Sequence, residues 1–286
     1  MRKLSAFIIL FVGAALSVPA KSFQGWRIGY FRYVYNPAPL KQNYIANMDM
    51  TLDVFGDIVT FYSEKGYLRD SLYSIAFDGG NIVNEEAYEL CSKFKGGARD
   101  VIRIDKSQQL VFQYYFDFLC IFEGKSPLEI PMWTITDETR EIRSRQCKKA
   151  EVNYYGRHWE AWYTEDIPLN FGPWLLWGLP GLVVEAHDSK KEICFELNYI
   201  EQLNDNHRSE FLLDYYKTNT FATQRFSGNL KESERLHTKF MTDRQFHNKI
   251  TGVIREWAVD ASGKTYDPWD NYRYIPIIPD SYWDEK

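Results

Sequence analysis

The chain is poor in the residues that build metal centres and nucleophilic sites. Only four cysteines occur among its 286 residues, and no two stand in CxxC spacing, which excludes the usual zinc ribbons and fingers. Five histidines, His158, His187, His207, His237 and His247, show no ligand spacing. No HExxH helix and no Gly-x-Ser-x-Gly elbow is present, and no glycine-rich run leads into Lys-Ser/Thr, so zincin, hydrolase-elbow and phosphate-loop chemistry all lack their motifs. These gaps imply no metal and no cofactor, and they leave no catalytic residue set to name. A formal net charge of −5 excludes nucleic acid as a partner, because phosphate contacts need clustered Lys and Arg. Low-complexity tracts and fixed-period repeats are absent too. Beyond the N-terminus, no apolar run reaches bilayer length, so the mature chain is expected to hold no transmembrane span.

What is present is core material. Aromatic residues make up 17% of the chain and hydrophobic residues 45%, ample for a packed interior. Arg2 and Lys3 precede an apolar run from Leu4 to Val18, and Val18-Pro19-Ala20 supplies small residues at the cleavage positions. That is a signal peptide, with cleavage predicted after Ala20 and export to the periplasm or the outer-membrane face. No cysteine follows it to accept a lipid. The organisation expected is a leader (1–20), one β-rich domain (21–265) and an extended Pro- and aromatic-rich tail over the surface (266–286).

Strand signals dominate the domain. Trp26 to Tyr35 reads as a first strand, ended by Pro37 and Pro39. Met48, Met50, Leu52 and Val54 alternate with polar residues, turn at Phe55-Gly56-Asp57 and return through Ile58 to Tyr62. Asn84 is placed to cap a short helix that buries Ala87, Leu90, Cys91 and Phe94 and stops at Gly96-Gly97. Val101 to Ile104 is a strand. Leu110 to Phe122 reads as one long strand with a bend or bulge near Asp117. Strands follow at Met132–Thr136, after a turn at Asp137-Glu138 at Glu141–Tyr154, and at Glu192–Ile200, where Ile193, Phe195, Leu197 and Tyr199 point inward. Their short connections predict an antiparallel meander. Thr242 is expected to cap a helix through Phe246, Ile250, Val253, Ile254 and Trp257, ended by Asp260 and Gly263. The fold class predicted is mainly β with minor α: a curved antiparallel sheet or open half-barrel with one or two packed helices.

The most distinctive stretch is Gly156 to Ala186. Trp159, Ala161 and Tyr163 alternate with His158, Glu160, Trp162 and Thr164 as in a half-buried strand. Pro168 and Pro173 break the ladder, Leu179-Pro180-Gly181-Leu182 fits a type II turn with Gly181 at φ > 0, and Leu182 onward re-enters a strand. The ordered elements Gly156-Arg157-x-Trp159, Ala161-Trp162-Tyr163-Thr164, Asp166-Ile167-Pro168, Gly172-Pro173-Trp174 and Gly178-Leu179-Pro180-Gly181-Leu182-Val183 resemble the signature of the GLPGLI family, exported Bacteroidetes proteins without an established biochemical activity. The likeness spans the signature region, 130–203, and implies export and a single domain. The strand-rich order is also similar to that of periplasmic half-barrel proteins that carry lipoproteins.

Two function classes remain open. One is a non-enzymatic binding or accessory protein of the cell envelope, with an apolar or lipid ligand or an outer-membrane receptor as partner. Its candidate ligand residues are Phe171, Trp174, Trp177, Leu179 and Trp162, which either line the mouth of an apolar groove or plug the sheet core. The other is a hydrolase using Glu160, Glu165 or Asp166 with His158. Among the cysteines, Cys91 and Cys120 sit on apolar faces, and Cys147 and Cys194 form the candidate disulfide on polar faces of neighbouring strands.

Overall fold

The computed structural model describes residues 25–35, 46–78, 81–93, 98–117, 120–204, 207–218, 222, 224–252, 258–259, 265–266 and 277–279. The leader, the Pro37–Pro39 break, the Gly96-Gly97 stop and the Val253–Trp257 helix segment lie outside these residues. In chain order the elements are β1 (Gly25–Val34), β2 (Ala46–Phe55), β3 (Ile58–Ser63), α1 (Glu64–Ala76), β4 (Phe77–Asp78), β5 (Asn81–Ile82) and α2 (Glu85–Lys93). Then come β6 (Asp100–Asp105), β7 (Leu110–Asp117), β8 (Cys120–Pro127), β9 (Thr134–Ile142), β10 (Arg145–Tyr154), β11 (Arg157–Thr164), β12 (Leu182–Asp188) and β13 (Ile193–Leu203). The last are α3 (His207–Thr218), β14 (Gln224–Gly228), α4 (Leu230–Thr242), α5 (Arg244–Thr251), β15 (Ala258–Val259) and β16 (Thr265–Tyr266).

Twelve strands form one curved, unclosed sheet in the order β14-β8-β7-β6-β3-β2-β1-β13-β12-β11-β10-β9. Two antiparallel meanders make it, and they are joined where β1 pairs with β13 from Gly25↔Leu203 to Val34↔Ile193. β14 adds in parallel to β8, so the sheet is mixed. The inner faces of both meanders share one core: Tyr30, Leu52 and Phe61 from the first, Trp159, Ala186 and Phe195 from the second. The Tyr30 hydroxyl donates to the Val183 carbonyl at 2.8 Å, and the Phe61 and Phe195 rings lie 6.1 Å apart. Curling brings these faces together and removes both from water.

The described residues hold five helices, more than the one or two expected, and all but α2 pack on the first meander. α1 and α3 pack on its outer face, where Tyr62, Val101, Tyr114 and Phe116 meet Leu212, Tyr215 and Tyr216. α4 and α5 pack at the β7–β8 end, against Tyr115, Cys120 and Phe122. The expected bend near Asp117 is a complete reversal: Asp117 pairs with Cys120, and β7 and β8 run antiparallel. The reversal changes parity, so Tyr114 and Phe116 serve α3 while Cys120 and Phe122 serve α4.

The expected turn at Asp137-Glu138 is a bulge inside β9, between the pairs Thr139↔Lys148 and Ile135↔Ala150. The chain turns instead at Arg143 and Ser144, both left-handed at φ 48° and 60°. Those are the dihedral signs of a type I′ hairpin, formed here without the usual Asn or Gly. The helix expected from Thr242 starts from Asp243, whose carboxylate accepts from the Phe246 N–H at 3.0 Å, and ends at Gly252 with φ 73°. Tyr199, expected inward, is exposed: a register shift opposite Gly29/Tyr30 turns it out, and its ring lies over Gly29. The tail is not wholly on the surface either, because Ile277 and Ile278 are buried in the main core.

Candidate functional site

The signature stretch is interior packing. Phe171, Trp174, Trp177 and Leu179 are all buried, with Trp174 only 1% exposed, and together with Leu175 and Leu176 they fill the concave side of β10–β13. Trp174 packs against Tyr154, Tyr155 and Trp159, with ring centroids 5.5–6.1 Å apart. The loop is stitched down by Gly178 N–H to the Asn170 carbonyl (2.9 Å), Val183 N–H to that of Phe171 (3.1 Å), and Trp133 Nε1 to that of Trp177 (2.7 Å). Of the two placements open to them, these four residues take the one that plugs the sheet core. Trp162 alone among the candidates is only half-buried, packed at the margin of the main core with the Arg140 guanidinium over its ring at 4.2 Å.

The glycines of the motif work differently from the turn first expected. Gly178 holds the left-handed φ, 93°, and Gly181 does not. Gly181 is required by close approach instead: a Cβ there would run into the Thr164 carbonyl. Gly172 is similar, since a Cβ would lie 2.7 Å from the Val183 side chain.

The hydrolase candidates do not converge. Glu160 is held by Lys149 at 3.1 Å, a cation also contacted by Glu138 and Glu151. Glu165 pairs with Lys148 at 2.9 Å in solvent, Asp166 is exposed, and His158 bonds Asn153 at 3.0 Å. Among the described residues no group of three or more His, Cys, Asp or Glu is arranged to hold a metal ion. All four cysteines are free thiols. Cys147 and Cys194 lie on β10 and β13, with β11 and β12 between them, a separation of about 14 Å at ~4.8 Å per strand and far beyond disulfide reach. Cys147 is moreover part of the main core, and burial pushes the Cys194 thiol up to about 11.

Two features escaped the sequence. The first is a buried polar cluster between α4 and β7. Glu234 Oε1 accepts from the Tyr115 hydroxyl at 2.6 Å and from Gln113 Nε2 at 2.7 Å, while Oε2 has no partner. Burial raises this carboxyl to about 7, against the opposing effects of the Tyr115 hydrogen bond and of His237. His237 stacks on Tyr115 at 3.8 Å and bonds Asp117 at 2.7 Å. Burial works to raise Asp117, but the His237 hydrogen bond with the Arg99 and Arg69 charges holds it below the usual carboxylate range. The signal for α4 was Asn229-x-x-Glu232, which closes a capping box with both bonds at 2.9 Å.

The second is a helical module on the outside of the first meander. Ser63 caps α1, whose inward side carries Arg69 and Asp70; Asp70 accepts from Arg69 at 2.9 Å and from the Tyr216 hydroxyl at 2.8 Å. The Ala76 carbonyl accepts from Val83 N–H at 2.8 Å, folding the β4–β5 ribbon back, and Asn84 caps α2 through Ala87 N–H at 3.0 Å. α2 buries Ala87 and Cys91 against Ala76, one turn apart. Leu90, expected on that face, falls one position off it and is exposed. The module thereby presents Leu68, Ile75, Ile82, Val83, Tyr88 and Leu90, six of the ten exposed large hydrophobic residues among those described.

Comparison with known proteins finds a likeness, over one short stretch, to a family of unknown function. A family model described as "Protein of unknown function (Porph_ging)" matches residues 156–185, the stretch that carries the GLPGLI-type signature. No curated protein matches the chain. Two crystal structures of PNGF-II are similar at 17% identity, with TM-scores of 0.44 and 0.48, covering 72% and 76% of this chain. They cover 31% and 33% of their own chains, so this chain spans about a third of their length. No helix among the described residues is long and apolar enough to cross a membrane.

Proposed function

We propose that the protein is an exported, non-enzymatic accessory protein of the cell envelope that acts by binding another protein, such as an outer-membrane receptor. The observation that carries this reading is the concentration of exposed apolar side chains on the α1–β5–α2 module. Soluble surfaces seldom gather large apolar residues without an interaction to use them. The aromatic residues that would have served an apolar small ligand are in the core, which moves the binding role to the outside of the molecule. Export is supported by the basic, apolar and small-residue regions of the first twenty residues.

Two measurements test the reading. Intact mass of the protein recovered from its own cells should correspond to a chain beginning at Lys21; retention of Met1–Ala20 overturns export. A photo-crosslinking residue at Val83 should yield a discrete protein adduct in the living envelope, whereas one at exposed Lys190 should not. Equal labelling at both positions, or none at Val83, overturns the binding role.

A further inference from the structure

Resting on that reading, we propose that the α1–β5–α2 face docks a protein segment that surrounds an apolar centre with Lys and Arg. The apolar part is set by Ile75, Ile82 and Val83, all exposed beside the β4–β5 ribbon. The charge part is set by what surrounds them. From Ser71 to Ser92 the chain carries Asp78, Glu85, Glu86 and Glu89 and no Lys, Arg or His. Asp78, Glu85 and Glu86 are exposed and form no ion pair among the described residues. Some exposed acids elsewhere do meet a cation, as Glu185 meets Arg140 and Glu165 meets Lys148. Glu85 and Glu86 have a local role at the N-terminus of α2, where the helix dipole favours them. Asp78 sits in the ribbon and has no such role. An apolar patch flanked by Asp78, Glu85 and Glu86 favours a partner of the opposite sign at that edge, and the same acids repel an anionic phospholipid surface. That asymmetry favours a basic protein segment over a membrane.

The probes are three: an amphipathic helical peptide with a Leu face and a Lys/Arg rim, the same peptide with a Glu rim, and vesicles of anionic phospholipid. Each is titrated against the full mature chain at 50 and 300 mM salt. The basic peptide should bind, and its affinity should fall about tenfold with the added salt. Ile75→Ser/Val83→Ser should weaken it about tenfold or more. The neutralised variant Asp78→Asn/Glu85→Gln/Glu86→Gln should weaken it and remove most of the salt dependence, with circular dichroism unchanged. Met132→Ser, which alters an 85%-exposed residue outside the module, should change nothing. Equal binding of the Glu-rimmed peptide or the vesicles overturns the proposal, and so does basic-peptide binding that survives both module variants. The two levels fail separately. A Val83 adduct that persists in the neutralised variant leaves the docking face standing and removes its basic partner. Absence of any Val83 adduct removes the docking face itself.

Discussion

Arg157 donates through Nε to the backbone carbonyl of Ile277 at 2.8 Å, so a residue of the signature strand fastens the C-terminal segment into the core. The same guanidinium donates through Nη1 to Asp188 at 2.8 Å and to Glu192 at 2.7 Å, and Asp188 in turn accepts from Ile193 N–H at 2.9 Å. One side chain thus ties β11, the β12–β13 turn and the tail together.

Removing that tie leaves Asp188 buried without its cation. Arg157→Ala should cost about 3–5 kcal/mol by urea unfolding, the usual loss on breaking a buried pair. Ending the chain before Ile277 should also destabilise it, through loss of two buried isoleucines. Because both changes act on one contact, the double variant should lose clearly less than the sum of the two, and strict additivity would show that Arg157 and the tail act independently.

The tryptophans of the signature loop should behave as core. Trp174→Ala and Trp177→Ala are each expected to lose about 3–5 kcal/mol. Trp162→Ala, at a half-buried position on the margin of the core, should lose clearly less, about 1–2 kcal/mol. A Trp174→Ala protein with an unchanged urea midpoint would contradict the packing described.

The two glycines of the Gly178–Val183 turn should differ in cost. Gly178→Ala places a Cβ in open space at a left-handed φ, and should cost about 1 kcal/mol. Gly181→Ala drives a Cβ into the Thr164 backbone and should cost about 3 kcal/mol or more, since backbone cannot yield as a side chain can. Thermal unfolding of the pair gives the order, and equal losses would refute it.

Glu234 predicts a pH dependence with a definite sign. Its folded pKa, about 7, lies above the unfolded value, so the native state holds the proton more tightly. The stabilisation is complete below about pH 4 and is lost as pH rises through about 7, a loss of about 3 kcal/mol. Asp117 works the other way: its depressed pKa contributes stability above the unfolded value that disappears as pH falls through the folded one. Urea midpoints from pH 5 to 8 should therefore decline for the native chain and decline much less for Glu234→Gln. Parallel profiles would exclude the carboxyl as the cause.

The strands with one apolar face were legible, and β9 and β14, which have none, were not. Met50, Leu52 and Val54 in β2 and Trp159, Ala161 and Tyr163 in β11 alternate as written and are buried as expected. The mainly β, curved and open sheet follows from such stretches. Two helices, α1 and α4, were hidden for a physical reason. α1 buries Arg69 and Asp70, and α4 buries Ser233, Glu234, His237 and Thr238, so neither writes an apolar stripe. The Arg143-Ser144 turn carries no glycine or asparagine to announce its left-handed pair. The placement of the aromatic loop was illegible for the opposite reason. Aromatic residues beside glycines and prolines look the same in sequence whether the loop opens to solvent or folds inward, and only the pairing of β1 with β13 brings the first meander over that loop.

That pairing also sets an order in time. Among the described strands β1 precedes the rest and its β2 neighbour follows it closely, but its other edge waits for β13, the last strand of the second meander. Until then Gly25–Val34 offers a row of unmatched backbone groups, the template from which misassembly starts. Closing so distant a contact is slow for any chain. Gly25–Val34 is therefore the edge to protect when the chain is refolded, and slow dilution at low protein concentration should raise the yield.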